Sequence, residues 1–168
     1  MNGELTKWAS SFAKARADAE QNLDFDRFVA DHYWIDSVYT ASYGGVLEVI
    51  AEGQAEILST HYGRDMALGW NGWSWPCRDI YVAEKRRALL HWVNLAPGRR
   101  ADGSRYETPG VSFLEFDETG RIIKQDDMMD LAAQLRLCDE LDEAGLLADS
   151  LRDSWVVPMK EMLVKGLS

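Results

Sequence analysis

The sequence predicts an α+β fold, with a curved antiparallel sheet packed on N-terminal helices and extra helices at the C-terminus. Three observations carry that prediction. Residues 5–29 space their apolar side chains as helices do. Residues 73–129 are β-branched and aromatic runs divided by polar reversals. Beyond Asp130 the helical spacing returns. Helices gathered before and after a block of strands make an α+β domain rather than alternating βαβ units.

Each element has its own reason. Leu5, Trp8, Phe12, Ala15 and Ala19 follow a three-to-four step, with Lys7, Lys14, Arg16 and Asp18 off the stripe. A short second helix starts at Asp24 as N-cap and carries Phe25, Phe28 and Val29. Tyr33 to Thr40 reads as a strand, Tyr43-Gly44-Gly45 as a turn, and Val46 to Ile50 as a short second strand. Gly53 to Ala67 turns helical again, with Ile57, Leu58 and His61 on one side. Trp73–Ala83 and Arg87–Leu95 are strands around the reversal Glu84-Lys85-Arg86, and 97–103 is a loop. Arg105–Asp117 is a long strand in which Pro109-Gly110 calls for a bulge or bend. Asp117 to Gly120 turns the chain into Arg121–Met129. Asp130 caps terminal helices carrying Leu131, Leu135, Leu141, Leu151 and Trp155, with breaks at Gly145 and Pro158. Without repeats or a linker, 168 residues make one domain: a core over 1–137 and a helical extension over 138–168.

Composition excludes several partners. Lys and Arg number 18 against 28 Asp and Glu, a net charge of −10. Such a surface repels phosphate, so neither nucleic acid nor an anionic membrane is an expected partner. No apolar run reaches the roughly 18 residues of a membrane span, and the N-terminus has no basic stretch followed by an apolar one. The expectation is a cytoplasmic protein. Cys77 and Cys138 lie far apart and match no metal or redox spacing, so they read as free thiols. Histidine spacing suggests no metal site either. Seven Trp and six Tyr are many for this length, and they cluster over 33–43 and 70–81. Aromatics with a polar tip suit a half-wet cavity for a flat ligand; the alternative is core and interface packing.

The stretch Gly110-Val111-Ser112-Phe113-Leu114-Glu115-Phe116-Asp117-Glu118-Thr119-Gly120-Arg121-Ile122-Ile123, running on to Asp127-Met128-Met129-Asp130, resembles the final hairpin of SnoaL-like proteins. These belong to the nuclear transport factor 2 (NTF2)-like superfamily. Phe28-Val29-Ala30-Asp31 with the following strand, and the Gly98…Asp102-Gly103 loop, resemble the same family. The resemblance implies a cone-shaped α+β barrel, usually dimeric, around an apolar cavity. Members include ketosteroid isomerases, polyketide cyclases, dehydratases, limonene-epoxide hydrolases and a diarylpropane lyase acting on lignin-derived dimers. Most use no metal or organic cofactor and move protons with cavity carboxylates aided by Tyr, His or Arg. Other members only bind partners or ligands.

Within that frame the candidate catalytic residues are Asp36, Arg78, His91 and Asp127. On Arg121–Met129, Lys124 and Asp126 mark the solvent face, which turns Ile123, Gln125, Asp127 and Met129 inward. A carboxylate desolvated among Ile and Met is a usable acid or base near neutral pH; the alternative is a helix-capping Asp. Asp36 interrupts an aromatic, β-branched run, either working inside or facing water from an edge. Arg78 shares parity with Ile80 and Val82; inward it pairs with Asp36 or Asp127, outward it is an ordinary surface Arg. His91 lies in an apolar strand, as a hydrogen-bonded core residue or a ligand donor. Tyr39, Tyr43, His61, Trp34 and Trp92 are the candidate substrate contacts, the tyrosines as phenolic donors to an oxyanion.

The leading expectation is a cofactor-independent lyase, performing dehydration or retro-aldol cleavage on a hydrophobic aromatic molecule such as a lignin-derived dimer. A homodimer is expected. Isomerisation of a ketosteroid-like substrate, epoxide hydrolysis and a non-catalytic binding or interaction module are the alternatives. The enzyme reading requires at least two of Asp36, Asp127 and Arg78 to converge on one cavity point; the binding module leaves them scattered.

Overall fold

The computed structural model describes residues 2–22, 24–43, 47–65 and 69–166. Helix α1 (Asn2–Asn22) buries Leu5, Ala9, Phe12, Arg16 and Ala19, a rung every three or four residues. Arg16, expected off the apolar stripe, is therefore part of it, while Trp8 and Ala15 sit half-buried at its edge. Helix α2 (Phe25–His32) starts where the Asp24 side chain accepts the Arg27 N–H at 3.4 Å. Its Phe28 packs on Phe12 at 5.3 Å between ring centres.

The strands are β1 (Tyr33–Tyr43), β2 (Leu47–Glu52), β3 (Cys77–Ala83), β4 (Arg87–Arg99), β5 (Arg105–Phe116) and β6 (Ile122–Met129). They form a six-stranded sheet in the order β2-β1-β6-β5-β4-β3 among the described residues. Neighbours are antiparallel except β1 and β6, which run parallel. The expected antiparallel sheet is corrected there, because the β3–β6 meander returns to β1 pointing the same way.

Local departures from the expected pattern have visible causes. Strand β4 continues through Pro97-Gly98 to Arg99, absorbing them in a register shift between Leu95 and Arg99. Pro109-Gly110 makes no bulge: Val93 pairs with Pro109 and Trp92 with Gly110 in unbroken register. Glycine is needed there because the Trp92 ring lies against it, and a Cβ would sit 2.2 Å from Trp92 Cη2. In β6 a shift between Glu115 and Phe116 buries Ile122 and leaves Ile123 exposed, so Ile123 does not face inward. From Gln125 onward the expected alternation resumes, with Gln125, Asp127 and Met129 on the inner side.

The expected helix from Gly53 is α3 (Gly53–Ile57) followed by wider π-helical turns over Leu58–Asp65; Met66 and Ala67 lie outside the described residues. So do Gly44, Gly45 and Val46 of the expected turn and strand. Asp130 caps α4 (Leu131–Glu143) by accepting the Ala133 N–H at 2.9 Å. Then come α5 (Asp149–Leu151), a π-helical segment Arg152–Val156 and α6 (Val157–Gly166). Burial pushes the Cys138 thiol up to about 12, and neither cysteine is in a disulfide. No helix among the described residues is long and apolar enough to cross a membrane.

Candidate active site

The concave side of the sheet and the helices packed on it enclose a cavity of about 70 Å³. Strand alternation delivers Tyr39, Ala41 and Tyr43 from β1, Trp92 and Asn94 from β4, and Asp127 and Met129 from β6. The π-helical segments supply His61 and Tyr62 from one side and Trp155 from the other. π-helical turns recur at functional sites because the wider turn re-aims successive side chains. Here it lets adjacent His61 and Tyr62 both reach the cavity.

Asp127 is the most connected group in this wall. It faces Ser112 on β5 and Ala41 on β1 in register. Its Oδ1 accepts the Ser112 hydroxyl at 2.6 Å and the Gln125 amide at 2.9 Å, while Oδ2 accepts the Tyr39 hydroxyl at 3.3 Å. The expected bare carboxylate is thus half-buried and met by three donors. Each donor is itself held. Trp92 Nε1 donates to Ser112 Oγ at 2.9 Å. Tyr33 donates to Gln125 Oε1 at 2.6 Å, which turns the amide nitrogen toward Asp127. Because the Tyr33 proton is spent there, the 2.8 Å contact with Tyr62 has Tyr62 as donor. Burial first, and the neighbouring Asp127 charge next, hold the Tyr39 phenol well above its usual range, so Tyr39 acts as a donor. His61 stacks on Tyr39 at 4.2 Å.

The opposite wall holds a buried ion pair. Arg16 Nε lies 3.2 Å from Glu20 Oε1, with side chains only 9% and 8% exposed. Arg16 also donates to the Trp75 carbonyl at 2.7 Å and lies over the Trp92 ring at 5.6 Å. Burial raises the Glu20 carboxyl above its ordinary value, against the pull of Arg16 and of the Trp75 N–H. Trp70 ties this wall together, 5.7 Å from Trp75 and 5.4 Å from Trp155. The C-terminal segment therefore closes one side of the cavity.

Of the residues expected at the site, Asp127, Tyr39, Tyr43, His61 and Trp92 line the cavity. The others do not. Asp36 is exposed, on the face of β1 opposite Tyr39, Ala41 and Tyr43. Trp34 is 44% exposed beside a register shift between Tyr33 and Val38. Arg78 is the extra residue of an irregularity in which Cys77 and Asp79 face Trp92 and His91; it points to solvent and pairs with Glu107 at 3.3 Å. His91 lies on the outer face, its Nδ1 3.1 Å from Asp79. So the expected convergence of two among Asp36, Asp127 and Arg78 fails. Asp127 finds Ser112, Gln125 and Tyr39 instead. Arg16, Glu20, Ser112 and Asn94 were not among the expected site residues, and Gln125, expected inward, was not expected as the partner of Asp127. For Arg16 and Glu20 a signal existed, an i,i+4 pair on the stripe of Leu5, Ala9 and Phe12. Among the described residues no cluster of three or more His, Cys, Asp or Glu is placed to hold a metal.

No family model and no curated protein matches the chain. Solved structures do. An NTF2-like protein of unknown function from Burkholderia pseudomallei superposes over 76% of this chain and 95% of its own, at TM-score 0.57 and 16% identity. The fold is NTF2-like. A SnoaL-like family protein from Agrobacterium tumefaciens matches 74% of this chain and 98% of its own, at TM-score 0.53 and 16% identity. An LEH-like epoxide hydrolase of M. tuberculosis matches 84% and 95%, at TM-score 0.56 and 21% identity. Such identities establish the NTF2-like fold and leave the chemistry to the site.

Proposed function

We propose that this protein is a cofactor-independent enzyme that acts on a hydrophobic aromatic small molecule, with Asp127 as the general base. The observation that carries the reading is a carboxylate fixed on an inner strand by Ser112, Gln125 and Tyr39, at the wall of a tryptophan-lined cavity. Held in place, it accepts a proton from a carbon or hydroxyl acid of the bound ligand. Negative charge developing on the ligand falls to the Arg16 guanidinium and to the Tyr43 hydroxyl, while the Tyr39 hydroxyl stays with Asp127, and a phenolic ring adds an electron sink. The reaction class is a lyase-type step, dehydration or retro-aldol cleavage; isomerisation begins with the same proton transfer. Incubating the protein in heavy water with phenolic dimers, ketosteroids and epoxides, followed by mass spectrometry, tests it. Deuterium incorporation or a new product supports the base; neither with any compound removes it.

One observation favours a second reading, a ligand-binding module without turnover. Both oxygens of Asp127 are already met by protein donors, and the expected Asp36 and Arg78 partners are outside. That module binds panel compounds and returns them unchanged.

A further inference from the structure

An aromatic ligand does not fit the cavity as it stands. Its volume of about 70 Å³ is less than half of the roughly 150 Å³ that accommodates a benzene, so a wall has to yield. Most of the large wall side chains are pinned. Trp92 donates to Ser112 at 2.9 Å and Trp75 to Asn94 at 2.7 Å. The hydroxyls of Tyr39 and Tyr62 are spent on Asp127 and Tyr33, and Arg16 is locked to Glu20. Trp70 and Trp155 line the cavity without a hydrogen bond among the described residues. Of these two, Trp70 is wedged 4.9 Å from Trp73 and 5.7 Å from Trp75. Trp155 has one aromatic neighbour among the described residues, Trp70, edge-on at 5.4 Å.

The backbone that carries Trp155 is held from the outside. It belongs to the π-helical segment Arg152–Val156, a geometry that is rare and recurs at functional sites. Arg152 pairs with Asp142 on α4 and with Asp149, and Lys160, on α6, pairs with Asp139 on α4. All five of those side chains are at least a third exposed, so the pairs hold weakly and salt screens them. Leu151 and Met159, buried on either side, anchor the ends of the segment. The wall that yields at least cost is therefore the one made by Trp155.

We propose that the Trp155 indole occupies the place of a ligand ring, and that the ligand enters when the Arg152–Val156 segment lifts the indole out. This rests on the proposed function only in taking the cavity beside Asp127 as the substrate site.

The probe is 2-naphthol, flat and uncharged, with binding read by calorimetry and segment motion by hydrogen exchange with mass spectrometry. Trp155→Ala is expected to bind it about tenfold tighter or more than the wild type, because no plug has to leave first. Trp73→Ala also deletes a buried indole, but one that does not line this cavity, and is expected to leave the affinity unchanged. Arg152→Gln with Lys160→Gln alters exposed side chains only, and carries the test if Trp155→Ala does not fold. It is expected to tighten 2-naphthol several-fold and to speed exchange over 152–156 while β5 and β6 exchange as before. In the wild type, bound 2-naphthol is expected to speed exchange over 152–156, whereas a ligand seated under a closed wall slows it. Equal affinity in the wild type and a folded Trp155→Ala, binding to neither, a matching gain in Trp73→Ala, or slower exchange over 152–156 in the complex overturns the proposal. Neither readout involves turnover. The expected pattern with no panel compound converted therefore defeats the enzymatic reading alone, and conversion of a panel compound with Trp155→Ala binding no tighter than wild type defeats this one alone.

Discussion

Replacing Arg16 by methionine isolates the buried ion pair in the cavity wall. At 3.2 Å, opposite unit charges attract by about 5 kcal/mol at an effective dielectric of roughly 20. The net worth of the pair is smaller, because both groups gave up water to reach side-chain exposures of 9% and 8%. Removing one partner exposes that desolvation cost and typically destabilises by about 3–5 kcal/mol. Arg16→Met also loses the hydrogen bond to the Trp75 carbonyl, while methionine keeps most of the apolar stem. About 3–5 kcal/mol is therefore expected near pH 7.5, read by urea unfolding. The pH sign follows from Glu20, whose carboxyl burial raises above its ordinary value. Stability from a raised acid is present below the unfolded pKa and lost as pH rises through the folded one. Without Arg16 the folded value climbs further, so the variant regains stability as the pH falls toward about 5. Adding Glu20→Met removes the orphaned charge and is expected to restore stability to within about 1 kcal/mol of wild type. A cost of Arg16→Met below about 1 kcal/mol, unchanged with pH, refutes a buried pair.

Two further predictions concern the scaffold. Gly110→Ala places a methyl 2.2 Å from the Trp92 ring, forcing the indole off Ser112. Overpacking and the lost hydrogen bond together cost about 2–4 kcal/mol by thermal unfolding, and less than about 0.5 contradicts the packing. Burial holds the His32 imidazole below its ordinary value, with Arg121 adding to that and Asp31 opposing. The unfolded chain then binds the proton first as pH falls from the ordinary histidine value toward the folded one, and stability is lost over that window. His32→Gln should narrow the fall in melting temperature between about pH 7.5 and 5.5; an unchanged fall contradicts it.

What the sequence disclosed, and what it hid, separates along strand parity and pairing. Asp127 was legible because Lys124 and Asp126 declare the solvent face of β6 and alternation does the rest. The same rule failed one turn earlier at Ile123, and again at Arg78, because register shifts at Glu115/Phe116 and Cys77/Asp79 exist only in the pairing of two strands. Asp36 misled by its company: an aromatic run on an exposed stretch of β1 looks like a core strand. Arg16 and Glu20 were visible as helix positions, yet charge argued for solvent, and only their mutual pairing makes burial tolerable. Gly110 announced a bend but answers to a tryptophan from the neighbouring strand. The π-helical turns that aim His61, Tyr62 and Trp155 had no sequence signal among the rules of helical spacing.

The most direct test of Asp127 as the base is the turnover rate of Asp127→Asn against wild type, on the panel compound that the wild type converts, at saturating concentration. The base reading expects the asparagine variant to stay folded and to bind the compound, yet to turn it over roughly 10²–10⁴-fold more slowly. Turnover at the wild-type rate would contradict it.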